Sequence, residues 1–178
     1  VGTRTIESSE ILAQRLQAGS ISFRLLNGKQ DEEEAMIVAR AGEAGSITIA
    51  TNMAGRGTDI KLGPDVSALG GLHVIGTERH ETARVDRQLV GRAARQGDPG
   101  SCQFFVSADD GLVCHHAPWL GRRMSELGNE QGEIEADLSR QVLSAQKDAE
   151  RSAYVRRSLI YRHEDWLDKV LSRLAAGK

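Results

Sequence analysis

Gln88-Leu89-Val90-Gly91-Arg92-Ala93-Ala94-Arg95-Gln96-Gly97-Asp98-Pro99-Gly100 is the stretch on which both the fold and the site turn. Helix-forming sequence over 82–94 leads into it, between two β-rich runs at 72–77 and 101–107. On a helical turn, Arg92 and Arg95 stand three positions apart and point from one face, and a guanidinium fork suits charge that spreads over a transferring phosphoryl group. Its companion is Thr51-Asn52-Met53-Ala54-Gly55-Arg56-Gly57-Thr58-Asp59-Ile60, another glycine-rich stretch carrying arginine. Together they imply a chain that senses or discharges a nucleotide phosphate. No Gly-x-x-x-x-Gly-Lys-Ser/Thr occurs, so the group that grips a triphosphate has to come from outside these residues.

Working outward, strands and helices alternate up to about residue 107. Residues 1–3 read as a strand end, and Ile11, Leu12 and Leu16 follow at helical spacing before Gly19, which suits the position just past a helix. Residues 21–26 read as a strand broken by Asn27-Gly28. Asp31-Glu32-Glu33-Glu34 then supplies the acidic first turn of a helix that Gly42 closes. Residues 46–51 form a further β-rich run. Strands alternating with helices predict parallel pairing in an open α/β sheet, where ligands bind at the carboxyl ends of strands. Both glycine-rich stretches are expected at or near such ends.

Beyond residue 110 the composition turns rich in Ala, Glu, Gln, Arg and Ser, and 134–174 holds neither Pro nor Gly, which predicts a long helix or a helical pair. Leu138, Val142, Ala145, Ala149, Ala153, Leu159 and Ile160 recur at roughly helical spacing, interrupted by Arg156, and such a stripe needs a partner surface. The polar, glycine-bearing span 128–132 is expected as a hinge. The expected organisation is an α/β domain over 1–112, a linker over 113–132 and a helical segment over 133–178.

At 178 residues the chain is long enough for one domain with a real core plus an appendage. Its 23 basic and 25 acidic residues argue against nucleic acid or membrane as a partner recruited by overall charge. Cys102 and Cys114 form no Cys-x-x-Cys pair, and with His115 and His116 they match no zinc spacing. No apolar run approaches the 18 or so residues of a spanning helix, and a reducing, cytoplasmic setting is expected. The chain begins at Val1, already in a strand, as a piece of a longer protein would.

The segment Ile47-Thr48-Ile49-Ala50-Thr51-Asn52-Met53-Ala54-Gly55-Arg56-Gly57-Thr58-Asp59-Ile60-Lys61-Leu62-Gly63 resembles the second nucleotide-binding domain of the SecA family of preprotein translocase motors. So do Gly70-Gly71-Leu72-His73-Val74-Ile75-Gly76-Thr77-Glu78-Arg79-His80-Glu81, then Asp86-Arg87-Gln88-Leu89, and Gly91 through Ser101. Val1-Gly2-Thr3 and Leu26-Asn27-Gly28-Lys29-Gln30 belong to the same likeness, which is close over about the first 110 residues and looser beyond. In the superfamily 2 helicase scheme the two glycine-rich stretches look like motifs V and VI of a second RecA-like domain.

The resemblance implies a RecA-like α/β fold of the helicase C-terminal type, and a nucleotide site shared between two lobes. The first lobe, absent here, would bring the phosphate loop, the Mg2+ ligands and the base; this one would bring arginines across the cleft to ATP. Arg95 falls on the family's arginine-finger position and Arg92 beside it. Asp98 matches the aspartate of the Arg-Gln-Gly-Asp run that touches nucleotide. Gly57 and Asp59 fall in the loop that couples nucleotide state to domain closure, and Gln88 is placed to orient a phosphate or the finger. The implied partners are the first RecA-like domain, preproteins and a membrane translocation channel, with a cytoplasmic location at the inner face of the membrane.

Two other readings stand beside this one: the C-terminal domain of a superfamily 2 nucleic-acid helicase, and a non-catalytic remnant that serves as a scaffold. For Arg92 and Arg95 themselves, the alternative is a solvated helix face or salt bridges to Glu81 or Asp86. Asp31-Glu32-Glu33-Glu34 lacks the apolar strand a Walker B acid needs, so it reads as helix N-terminal charge. Ala94 stands where the family usually has glycine; a helix would tolerate it, whereas a positive φ would strain the finger.

Overall fold

The computed structural model describes residues 1–26, 31–51 and 58–176, with only the backbone described for 31–34, 170 and 173–176. Two compact units divide the chain at Asp110 and Gly111. Gly57, and with it 52–56, lies outside the described residues, as does Asn27-Gly28-Lys29-Gln30.

The first unit, Val1–Asp110, is the expected open α/β sheet. Strands β1 (Gly2–Thr3), β2 (Arg24–Leu26), β3 (Thr48–Thr51), β4 (Leu72–Gly76) and β5 (Gly100–Phe104) lie in the order β2-β3-β1-β4-β5. Every pairing is parallel, with Gly2 opposite both Ala50 and Gly76 and Leu72 opposite Gly100. Parallel neighbours need crossovers, and helices α1 (Ile6–Ala18), α2 (Asp31–Arg40) and α3 (Ala83–Val90) supply three of them. Thr5 opens α1 as its N-cap, its hydroxyl accepting the Ser8 N–H at 3.0 Å. Gly19 follows α1 as expected, yet the left-handed residue is its successor, Ser20, at φ 56°.

The core sits where α1 and α2 cross the sheet. Ile49, Thr3 and Ser9 are fully enclosed, and Leu26 and Val38 form a cluster on which Ile37, Ala50 and Ile60 pack. Ile60 thereby anchors the chain immediately after Asp59. Gly2 leaves room for Leu89 of α3 against β1, since a Cβ there would stand 2.6 Å from Leu89 Cδ2 unless that side chain shifted.

The second unit, Gly111–Lys178, holds α4 (Gly111–His116), α5 (Pro118–Leu127) and α6 (Ser139–Ala176). Residues 113–132, expected as a linker, carry most of two helices: α4 packs on α5 and on α6, and Leu112, Val113, Leu120 and Met124 are buried. Pro118, at the first helical position of α5, has no N–H to leave unsatisfied there. The span expected as a hinge is a closed turn. Asn129 Oδ1 accepts N–H bonds from Gln131 and Glu133 at 3.0 and 2.9 Å, while its own N–H bonds the Glu133 carbonyl.

Helix α6 runs 38 residues, about 57 Å at 1.5 Å per residue. Leu138, Val142, Ala145 and Ala149 of the predicted stripe are buried, whereas Leu159 and Ile160 are exposed, as are Trp166 and Leu171 beyond them. Among the described residues no helix is long and apolar enough to cross a membrane.

Candidate nucleotide-edge site

The glycine-rich stretch after α3 is not the helical turn that its spacing predicts. Helix α3 ends at Val90, where the Gly91 N–H closes on the Arg87 carbonyl, and a single 3₁₀ turn, Arg95–Gly97, follows. Ala94 and Gln96 both adopt left-handed backbone, at φ 53° and 54°. An interval of three residues marks one face of a helix or two corners of a turn equally well, and Ala94, an excellent helix former, gives no hint of the left-handed corner it occupies.

The strain at Ala94 is that of an L residue in left-handed backbone, a conformation that favours glycine. An Ala94→Gly substitution is expected to raise stability by about 1 kcal/mol, because it removes the clash of Cβ with the following carbonyl at some cost in unfolded-chain entropy. A denaturation midpoint that rises by about 4 °C would match this. A midpoint that stays put or falls would show that the turn fits alanine without strain.

The turn also lies at the opposite edge of the sheet from the one expected. Helix α3 runs back across the sheet before β5 begins, so its end reaches the amino ends of the strands. An ideal Cβ on Gly100, the first residue of β5, would stand 2.6 Å from the Ala94 nitrogen, and one on Gly71, just before β4, would stand 1.8 Å from the Pro99 carbonyl oxygen. The first glycine-rich stretch leaves from the carboxyl end of β3, yet its described residues Thr58 and Asp59 stand beside the arginines at the amino edge.

Side-chain bonds join the two stretches there. Arg95 Nη1 meets Asp59 Oδ1 at 2.9 Å, and Arg95 Nε donates to the Gly91 carbonyl at 2.7 Å. Gln96 Nε2 donates to the other oxygen of Asp59 at 2.9 Å, and Arg92 Nη1 to the Thr58 carbonyl at 2.8 Å. The Arg95 and Asp59 side chains keep 39% and 35% of their surface, so the pair is reachable from solvent rather than sealed in the core. Glu81 and Asp86, the alternative partners read from sequence, pair with Arg4 and Arg79.

A cleft of about 1100 Å³ runs along this unit, and Gly42, Thr48, Gly71, Gln88, Arg92 and Arg95 are among the residues that line it. The structure thus brings together Arg92, Arg95 and Gln88 on one cleft, with Asp59 at the Arg95 guanidinium. Asp98 is not on that lining; it closes the turn, its N–H donating to the Arg95 carbonyl at 2.8 Å. Two donor-rich guanidiniums beside the cleft are chemistry for an anion with several oxygens. Among the described residues no group of three or more His, Cys, Asp or Glu could hold a metal ion.

A second polar cluster, unmarked in the sequence reading, occupies the carboxyl edge. Arg4, just after β1, reaches Glu81 at 3.1 Å and Glu78 at 3.8 Å. Asp86, buried on α3, accepts Arg79 Nη1 at 3.1 Å and the His80 N–H at 3.0 Å, while the Arg79 guanidinium lies 4.0 Å from the centre of the Phe104 ring. Burial lowers the His80 pKa. No local motif joins residues 77 positions apart in sequence.

Near it, burial raises the Asp110 carboxyl to about 6, against the hydrogen bond from the Ser107 N–H that favours its charged form; the charges of Glu78 and Asp109 push the same way as burial. A folded-state pKa above the unfolded value of 3.8 gives stability that is fully present below 3.8 and lost as pH rises through 6. Asp110→Asn keeps an oxygen for the Ser107 N–H and removes that loss. The variant should gain on the order of 1 kcal/mol over the parent at pH 8 relative to pH 4, after solvent screening. Denaturation curves at the two pH values test this, and an equal difference at both would remove Asp110 as the source.

The family described as the SecA P-loop domain matches residues 1–68 and 64–132. Protein translocase subunit SecA of Amoebophilus asiaticus (strain 5a2) is 48% identical over 172 residues, covering 95% of this chain and 15% of that protein. The same subunit of Thermotoga maritima is 49% identical over 172 residues, 95% of this chain and 20% of that protein. That of Lawsonia intracellularis is 50% identical over 164 residues, 90% of this chain and 20% of that protein. The chain therefore spans a fifth or less of the length of these relatives. In fold, the first of the solved likenesses is the E. coli DEAD-box protein SrmB, in its crystal structure bound to regulator of ribonuclease activity A (RraA). It shares 24% identity at a TM-score of 0.51, over 76% of this chain and 78% of that one. The parallel sheet with flanking helices is thus similar to helicase RecA-like domains, and by the family match and the level of identity to its relatives the chain belongs to the SecA family.

Proposed function

We propose that this chain is the second half of the ATP-hydrolysing site of a SecA-type protein translocase, with residues 1–112 as its second RecA-like domain. The observation that carries the reading is the half-exposed Arg95–Asp59 pair, which ties the two glycine-rich stretches together at one edge of the sheet. In the proposal Arg95 is the arginine finger, Arg92 its companion, Asp59 and Gly57 the coupling loop, Gln88 an orienting amide, and Asp98 an acceptor for the ribose.

The position of the arginines at the amino edge favours a shared site. In open α/β sheets the lobe that holds the nucleotide does so at its own carboxyl edge. Here the described carboxyl ends of β1 and β4 carry the Arg4–Glu78 and Arg79–Asp86 ion pairs, and the arginines stand at the opposite edge. A lobe built in this way supplies charge across a cleft to a nucleotide gripped by another. ATP would bring the triphosphate whose transition-state charge these guanidiniums meet, and Mg2+ would be held by the first RecA-like domain. In the proposed whole, preproteins are the substrates, a membrane channel is the docking partner, and the location is cytoplasmic at the inner face of the membrane.

The test is complementation. The purified chain alone should hydrolyse ATP negligibly, and addition of a first RecA-like domain from a SecA relative should restore turnover. Ordinary motor turnover by the isolated chain, or no turnover in any mixture that forms the complex, would overturn the proposal.

A further inference from the structure

We infer that Gln96 is a positioning residue for Arg95, keeping the Arg95–Asp59 pair monodentate so that the guanidinium stays exchangeable. This rests on the role proposed for Arg95 above. A guanidinium and a carboxylate left to themselves close as a fork, two parallel N–H···O bonds that are stronger and harder to part than one. Here the fork is open. Arg95 Nη1 takes Asp59 Oδ1, Nε is turned to the Gly91 carbonyl, and the second carboxylate oxygen is already held by Gln96 Nε2 at 2.9 Å. Neither described Arg95 bond uses Nη2.

The backbone supports the same reading. Gln96 reaches Asp59 from a backbone bent into the left-handed region, at φ 54° and ψ 25°, two positions after Ala94 in the same region. Two non-glycine residues held there within three positions are a concentration of strain of the kind that gathers at functional turns. The bonds to Asp59 tie that turn to the chain anchored by Ile60. The Gln96 amide thus competes with Nη2 for the second oxygen and fixes the carboxylate's orientation, and removing it lets Asp59 turn to capture Arg95 with both oxygens and hold it back from an incoming phosphate.

Gln96→Met removes the amide and keeps the length; Gln96→Gly removes it and relieves the backbone. Both lie on the surface and should leave the fold intact by circular dichroism. In side-chain ¹⁵N NMR of the purified chain, with Arg95 assigned through Arg95→Lys, the Nη2 protons are expected to shift and to exchange with water more slowly in both variants. Nη2 signals that match the parent in both would overturn the inference. In the complemented ATPase, kcat should fall roughly tenfold in both with little change in KM, as a misplaced group costs more in the reaction than in binding. Parent-like kcat in both variants, where Arg95→Ala abolishes turnover, would likewise sink it. If Arg95→Ala leaves turnover intact, the finger reading fails instead, and the NMR result still decides whether Gln96 props the fork open.

Discussion

ATP turnover by this chain together with a first RecA-like domain is expected to fall by about three orders of magnitude or more when Arg95 is replaced by alanine. The size follows from timing: a finger meets charge that appears on the phosphoryl oxygens only in the transition state, so its loss is felt in kcat rather than in nucleotide affinity. The fold should survive, because a pair that keeps more than a third of its surface in water contributes little to stability. Arg92→Ala should also lower turnover, by a different route. Arg92 holds the Thr58 carbonyl at 2.8 Å, so its removal loosens the chain that presents Asp59 as well as deleting a charge. Steady-state kinetics with a parallel unfolding curve separate these effects. Turnover that persists in Arg95→Ala would leave the pair with Asp59 as a structural contact and nothing more.

The elements of the sheet were legible because each carries its own local signal. Apolar β-rich runs of a few residues, broken by Gly19, Asn27-Gly28 and Gly42, fell where β2, β3, β4 and β5 lie, and parallel order followed from their alternation with helices. Arg92, Arg95, Gln88 and Asp59 were legible as a group through the family resemblance, and the structure gathers them. What failed was geometry that depends on the whole unit. The turn at Ala94 and Gln96 has no signature, because alanine and glutamine both favour helix and are bent here by what surrounds them. Nearness to a strand in sequence does not tell which edge of the sheet a stretch occupies; that depends on α3 running back across the sheet between the parallel strands β4 and β5.

Residues 113–127 hid their helices for a local reason. Cys114-His115-His116-Ala117-Pro118-Trp119 interrupts the apolar period where one helix ends and the next starts. Pro118 was itself the start signal. The pairs of Arg4 with Glu78 and Glu81 were out of reach of any local pattern, since they join the end of β1 to the chain that follows β4.

Gly71→Ala is expected to be among the most destabilising single-methyl additions in the first unit. Gly71 has φ +78°, and a Cβ there would stand 1.8 Å from the Pro99 carbonyl oxygen and 2.5 Å from its carbon. No rotamer can relieve a collision between a Cβ and a neighbouring backbone, so either β4 or the Pro99–Gly100 segment has to move. The expected loss is about 3 kcal/mol or more, the left-handed backbone contributing 1–2 of it and the clash the rest. Gly70 supplies the control within one residue: it has φ +99° and nothing within 4 Å of an added Cβ, so Gly70→Ala should show only the backbone part. Pro99 lies two residues beyond the turn that aims Arg95, so the same displacement should reach the site. Per folded molecule, complemented ATPase should fall further in Gly71→Ala than in Gly70→Ala. Equal stability losses in the two variants would mean that Pro99 does not press on Gly71, and the path from that contact to the arginine turn would go with it.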